Sequence, residues 1–164
     1  MTLIAFVLSV LLGTLSLSYG YWAEGMYQPA RWFAFLGIIW ILAHWRKVYW
    51  ASSAAFVLVL IGAAYGVWYQ FTTIWMLLGA LGGLLGWDLS DFARRLSYAA
   101  PTDDIHAMER LHLERAGIVA ALGFGIAILS LVIHINRLPF EVAVGLVLIA
   151  ALGLTRLVLR LRRY

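Results

Sequence analysis

The residues best suited to chemistry in this chain are gathered between Trp87 and Gly117. That stretch, WDLSDFARRLSYAAPTDDIHAMERLHLERAG, holds six of the eight acidic residues and two of the four histidines. Within it Glu109 and His112 form an E-x-x-H pair, a spacing that puts a carboxylate and an imidazole on one side of a helix. Pairs of this kind supply metal ligands in helical bundles, so a metal site is the first hypothesis.

A divalent metal needs more ligands than this one pair provides. Ferritin-like proteins use two E-x-x-H pairs and two further glutamates, whereas this chain has one pair. Asp88 and Asp91 on the preceding helix could add oxygen ligands if their depth matched that of Glu109 and His112. The competing interpretation is a solvated helix face whose surface ion pairs contribute about 0–1 kcal/mol each.

Haem is the second cofactor hypothesis, with His44 and His112 as axial ligands from two helices near the same membrane surface. Histidines at such boundaries are commonly polar residues without a ligand, so no cofactor is expected. The chain contains no cysteine, which excludes disulfides, thiol catalysis, iron–sulfur clusters and thiolate zinc sites.

Signatures of membrane enzymes are incomplete in this sequence. DLSDFARR, residues 88–95, resembles the Asp/Ala-Arg opening of the CDP-alcohol phosphotransferases. The later G-x-x-x-D-x-x-x-D run with which that family binds its metals does not follow, so the resemblance implies no activity here. The G-x-S-G pattern of rhomboid proteases is also absent. A non-catalytic function is therefore favoured.

Composition indicates that lipid surrounds most of the side chains. Hydrophobic residues make up 64% of the chain and charged residues 12%, against about 25% charged residues in soluble domains. A soluble chain of this composition would expose large apolar patches. The net charge of +4 comes from basic residues that flank apolar segments, so membrane orientation explains it and no nucleic-acid partner is expected.

Six apolar segments are predicted to cross the membrane as helices. They cover about 2–22, 30–45, 49–69, 73–87, 116–135 and 139–158, and most approach the roughly 20 residues that span the hydrocarbon core. The second segment is short, and five crossings result if it is re-entrant. The predicted fold class is all-α, a polytopic membrane bundle forming one domain over residues 1–164.

Lysine and arginine set the predicted orientation. With the N-terminus inside, only Arg31 and Arg137 of the 12 basic residues face outward. This bias suits a bacterial inner membrane with both termini cytoplasmic. Four arginines near the C-terminus are expected to lie among lipid headgroups. They are Arg156, Arg160, Arg162 and Arg163.

The charged stretch is predicted to form a cytoplasmic helical hairpin over residues 88–115. Leu89, Phe92 and Leu96 recur at helical spacing, so the fourth helix is expected to continue to about residue 99. Pro101 then stops it. The next helix, from about 103 to 135, would be roughly 50 Å long, against a hydrocarbon core of about 30 Å. Part of the hairpin must then stand outside the membrane.

Small residues four apart predict close contacts between helices, because lipid supplies little hydrophobic drive for helix association. They are expected to pack helices within one chain, with a dimer seam on the fourth helix as the alternative. These positions are Gly62, Gly66, Gly79, Gly82, Gly83, Gly86, Ala121 and Gly125.

The length of the hairpin favours a docking function. We expect an accessory subunit that binds a membrane or cytoplasmic protein, or a second copy of itself, through polar contacts. The alternative is a transporter component for an apolar or neutral solute, since no segment centre carries an ionisable side chain. A metal- or haem-binding redox subunit is the third class. The expected docking residues are Asp88, Asp91, Arg94, Arg95, Glu109, Arg110, His112 and Glu114.

Overall fold

The structure, a computed structural model, describes residues 2–98 and 105–132, with side chains described over 2–98 and 106–125. These residues contain helices and turns but no strand, which confirms the all-α prediction for them. The helices are α1 (Thr2–Ala23), α2 (Tyr27–Trp45), α3 (Tyr49–Trp68), α4 (Thr73–Leu96) and α5 (Ile105–Val132). The chain divides into two compact units, Met1–Ala127 and Ile128–Tyr164, and every contact below lies within the first.

Three of the described helices, α1, α3 and α4, are long and apolar enough to cross a membrane. Their positions match the first, third and fourth predicted segments, and the chain is accordingly a membrane protein of helical type. The segment predicted over 30–45 forms α2, a helix that carries Gln28, Arg31 and His44 and is not among these three. The segment predicted over 139–158 lies outside the described residues.

The two helices of the charged stretch differ slightly in extent from the prediction. α4 ends at Leu96 and is followed by a turn at Ser97 and Tyr98, three residues before the expected end. The Ser97 hydroxyl donates to the carbonyl of Arg94 at 2.6 Å and so closes the last helical turn. α5 is helical from Ile105. The predicted joint at 100–102 and its capping residues lie outside the described residues.

The turns between the first four helices share one geometry. Each contains a residue with positive φ, namely Gly25 at 77°, Lys47 at 58° and Gln70 at 59°. In each turn the following amide donates to a carbonyl five residues earlier, which is the Schellman arrangement. These bonds run from Met26 to Tyr21 (3.0 Å), Val48 to Ala43 (2.9 Å) and Phe71 to Gly66 (2.9 Å).

The backbones of α1 and α4 touch at a glycine seam. A Cβ on Gly82 would lie 2.6 Å from the Cα of Gly13, and a Cβ on Gly13 would lie 2.7 Å from the amide nitrogen of Gly83. Both distances are far shorter than van der Waals contact, so the approach requires glycine at these positions. Gly13 was not among the predicted packing positions, and its partners lie on a helix distant in the chain.

The other predicted packing glycines of α3 and α4 also face neighbouring helices of the same chain. Gly62 faces the ring of Phe33 and Gly66 faces Met76, while Gly79 lies against Leu17 and Gly86 against Val10. The α5 pair differs, since Ala121 is exposed and, within the part of the chain that the structure describes, nothing lies within 4 Å of a Cβ built on Gly125.

Some polar side chains inside the bundle form hydrogen bonds between helices. Trp40 Nε1 of α2 donates to Ser52 Oγ of α3 at 2.7 Å, and the Tyr21 hydroxyl donates to the carbonyl of Gly62 at 2.7 Å. An apolar medium offers no water to these groups, so such bonds fix which helices lie side by side.

Candidate functional site

His112 joins the start of α5 to the end of α4. Its ring stacks on Phe92 with ring centroids 3.9 Å apart and an angle of 5° between the planes. Its Nε2 lies 2.9 Å from Asp88 Oδ2, yet this buried nitrogen makes no properly aligned hydrogen bond within the described residues. We therefore describe the contact as ring stacking with a carboxylate close by, rather than as a formed ion pair.

Glu109 joins the start of α5 to the start of α1. The buried Thr2 hydroxyl donates to Glu109 Oε1 at 2.7 Å, across 107 positions of sequence. This hydrogen bond stabilises the charged carboxylate and is the main cause that holds the pKa of Glu109 below its ordinary value. The first turns of α5 are thus tied to two different helices of the bundle.

Three exposed arginines of the charged stretch, Arg94, Arg95 and Arg110, pair with carboxylates on their own helices. Asp91 accepts hydrogen bonds from Arg95, through Nε at 2.8 Å and Nη2 at 2.6 Å, and it also pairs with Arg94. On α5, Arg110 Nε donates to Glu114 Oε1 at 2.9 Å. Helix pairs of this type contribute about 0.3–0.5 kcal/mol each. Their more important effect is to order side chains that stand in solvent.

The structure therefore places all eight expected docking residues in contact with another side chain of the chain. The partners that sequence reasoning missed are Thr2 and Phe92. A threonine at the start of an apolar helix carries no local sign of a carboxylate partner. Phe92 had been assigned to the apolar face of α4, but nothing in the sequence showed which α5 residue it would meet.

His44 lies in a second cluster, at the end of α2. Its ring stacks on Phe6 with centroids 4.1 Å apart, and its Nδ1 lies 3.1 Å from Ser90 Oγ. It shares a cavity of about 340 Å³ with Glu109. The remaining lining residues are Thr2, Leu3, Phe6, Ala93, Leu96 and Ser97. The structure thus groups His44 with Glu109, whereas the haem hypothesis had paired His44 with His112.

Of the four candidate metal ligands, Asp88 and His112 lie together, whereas Asp91 and Glu109 have other partners. Asp91 faces arginines, Glu109 faces Thr2, and Asp88 faces His112. Over the part of the chain that the structure describes, no group of three or more His, Asp or Glu side chains is arranged to hold a metal ion. A bound metal or haem stays a hypothesis from the sequence.

A groove of about 410 Å³ runs between α4 and α5. Its charged end is lined by Asp88, His112 and Arg115, with Trp87 beside them. The remainder is apolar and is lined by Leu81, Leu84, Leu85, Ala116, Val119, Ala120 and Gly123. The four arginines predicted at the lipid headgroups, Arg156, Arg160, Arg162 and Arg163, lie outside the described residues.

Comparison with known proteins provides no relative from which a function could be transferred. No protein-family model matches the chain, and no curated protein or solved structure matches it. The function is therefore argued from the geometry of the chain itself.

Proposed function

We propose that this protein is a non-catalytic accessory subunit embedded in a membrane. It would dock another protein through the charged ends of α4 and α5. The docking surface is defined as residues 88–96 and 106–115. Its partner is another membrane or cytoplasmic protein, or a second copy of the chain. Support comes from the way the surface is held, from its length and from its balance of charge.

The observation that carries the proposal is that exposed charged side chains of this surface are held in fixed positions. Arg95 and Arg110 expose 76% and 81% of their side chains, yet each is held by a carboxylate on its own helix. Stacking of His112 on Phe92 and the Thr2–Glu109 hydrogen bond fix the two helices beneath them. A polar surface ordered before binding loses less conformational entropy when a partner arrives.

The lengths of the helices support a surface that stands outside the membrane. α4 has 24 residues and α5 has 28, or roughly 36 and 42 Å at 1.5 Å per residue, compared with a hydrocarbon core of about 30 Å. We place the surplus at the charged ends. In the proposed topology the chain crosses six times, the docking surface and both termini are cytoplasmic, and the membrane is a bacterial inner membrane.

The charges of the docking surface favour a protein partner that presents both signs. Four acidic residues stand against four arginines in the two ranges, so their formal charges cancel. They are Asp88, Asp91, Glu109 and Glu114 against Arg94, Arg95, Arg110 and Arg115. A surface without net charge gains little from a polyanion such as nucleic acid. It gains specificity from a partner that matches its charges pairwise.

A swapped ion pair tests the proposal without breaking the helix. The double variant R110E/E114R reverses both charges but keeps a pair four residues apart, in the order that favours a helix. We expect recovery of the partner with the tagged protein from native membranes to fall about tenfold, because opposed like charges cost on the order of 1.4 kcal/mol or more. R46Q, which changes an exposed arginine outside the docking surface, is the control. Recovery equal to that of R46Q would contradict docking through this surface.

One cavity favours transport of an apolar or neutral solute as a second candidate function. It measures about 460 Å³ between α1 and α2 and is lined by Tyr19, Trp22 and Tyr27, with Arg31 among them. Aromatic walls with a few polar groups suit a mostly apolar ligand. Protection of the purified protein from heat by apolar solutes, lost in W22A, would support this candidate, and the same protection in W22A would oppose it.

A further inference from the structure

The groove between α4 and α5 is apolar along most of its length and carries Asp88, His112 and Arg115 at one end, and we infer that it binds one phospholipid. One acyl chain lies along the apolar walls, and the lipid phosphate is bound by the guanidinium of Arg115. This inference does not depend on the docking proposal. Asp88, His112 and Arg115 belong to both the groove and the docking surface, but bound lipid and bound protein are measured separately.

The apolar walls supply the space for an acyl chain. Leu81 and Leu85 line the groove from α4, and Val119 and Ala120 line it from α5. At Gly123 an added Cβ would meet no atom of the described residues within 4 Å, so they leave the groove open at this point. The volume of about 410 Å³ falls within the range of roughly 300–1,000 Å³ that small-ligand sites occupy.

The charged end supplies one cation that other side chains leave free. Trp87 Nε1 donates to Ser53 Oγ at 3.2 Å, and Asp88 lies beside His112. Arg115 is exposed and, among the described residues, makes no hydrogen bond or ion pair. The planar guanidinium binds phosphate oxygens in pairs, which makes arginine well suited to a phosphodiester at a membrane surface.

The order of these features along the groove selects a lipid rather than another occupant. The charged residues of the groove, Asp88 and Arg115, lie at the end that the docking surface includes, and the leucine and small side chains follow for two or more helical turns. A phospholipid in one leaflet has the same order, with phosphate at the interface and hydrocarbon beneath it. A free phosphate ion would leave the apolar length of the groove unfilled.

Two pairs of matched variants test the site in the full-length protein. G123L fills the groove, whereas G117L places the same side chain at another α5 position that does not line the groove and has no described neighbour within 4 Å of an added Cβ. R115Q removes the phosphate-binding charge, whereas R46Q removes an exposed charge elsewhere. Native mass spectrometry after detergent purification counts retained lipid, with added phosphatidylglycerol and with diacylglycerol of the same chains.

We expect one phosphatidylglycerol to be retained by the wild type, G117L and R46Q. Retention should fall about tenfold in R115Q, since a charge-assisted contact contributes roughly 1.5–3 kcal/mol, and G123L should retain none. The wild type should retain diacylglycerol, which lacks the phosphate, no better than R115Q retains phosphatidylglycerol. Equal retention in G123L and G117L, or in R115Q and R46Q, would overturn the inference. Retention of several lipids to the same extent by every variant would also overturn it, because that result indicates bulk lipid only.

Discussion

His112 contributes to the docking surface mainly through its flat ring. The imidazole lies parallel to Phe92 at 3.9 Å between centroids, while its approach to Asp88 lacks hydrogen-bond alignment. The contacts of single residues can be predicted from the sequence only in part. The E-x-x-H spacing indicated that Glu109 and His112 share a helix face, but their partners Thr2 and Phe92 come from α1 and α4, which only the packing of the bundle brings near.

Replacement of His112 separates stacking from charge. H112F keeps a ring against Phe92 and should leave stability close to that of the wild type. H112A removes the ring and should lower the free energy of unfolding by about 0.5–1.5 kcal/mol, the usual contribution of an aromatic pair. Unfolding of purified protein in mixed micelles measures both. Equal losses in H112F and H112A would show that the imidazole acts through its charge instead.

The hydrogen bond from Thr2 predicts a shifted titration of Glu109. The lowered pKa of this carboxyl means that it adds stability above its unfolded pKa, and this stability is lost as the pH falls through the folded pKa. In T2V the donor is gone, so the pKa of Glu109 should rise toward its ordinary value. Titration of isotope-labelled glutamate carboxyls by NMR measures it. T73V is the control at a distant threonine, and an unchanged pKa in T2V would contradict the assignment.

At the scale of the helices, the glycine seam shows what spacing can and cannot predict. The overlapping G-x-x-x-G patterns of α4 indicated a tightly packed face, and Gly82 does meet the backbone of α1. The choice of α1 as the neighbour depends on Gly13, which has no such pattern around it. Similarly, the turns at Lys47 and Gln70 adopt positive φ although neither is glycine, because helix closure and the next helix impose that geometry.

The seam predicts opposite effects for two glycine-to-alanine changes. In G82A the added Cβ would lie 2.6 Å from the Cα of Gly13, and since both atoms belong to backbone, α1 and α4 must separate at a cost of about 1–3 kcal/mol. In G117A the Cβ meets no atom of residues 2–98 or 106–125 within 4 Å, and the helix should gain up to about 1 kcal/mol. Thermal unfolding of the two variants compares them. A G82A protein as stable as G117A would show that the helices do not touch there.

At the scale of the whole molecule, apolar content and helical periodicity sufficed to predict a membrane bundle. α1, α3 and α4 have the required length and composition. Because α2 carries polar residues, its hydropathy alone does not decide whether it crosses the membrane. The number of crossings therefore depends on more than composition. The docking surface was inferred from the length of the charged stretch. The structure adds the contacts that would hold it in one arrangement, through Thr2 at one end and Phe92 at the other.

The most direct test of docking is a photo-crosslinker at Leu111, whose side chain is 54% exposed on the docking surface. The same crosslinker at Ile61, 59% exposed on α3, controls for contact with lipid and neighbouring membrane proteins. Irradiation of native membranes should give a discrete protein adduct from position 111 that position 61 does not give, and that R110E/E114R strongly reduces. The same adducts from both positions, or an adduct at 111 indifferent to the swapped pair, would contradict the account.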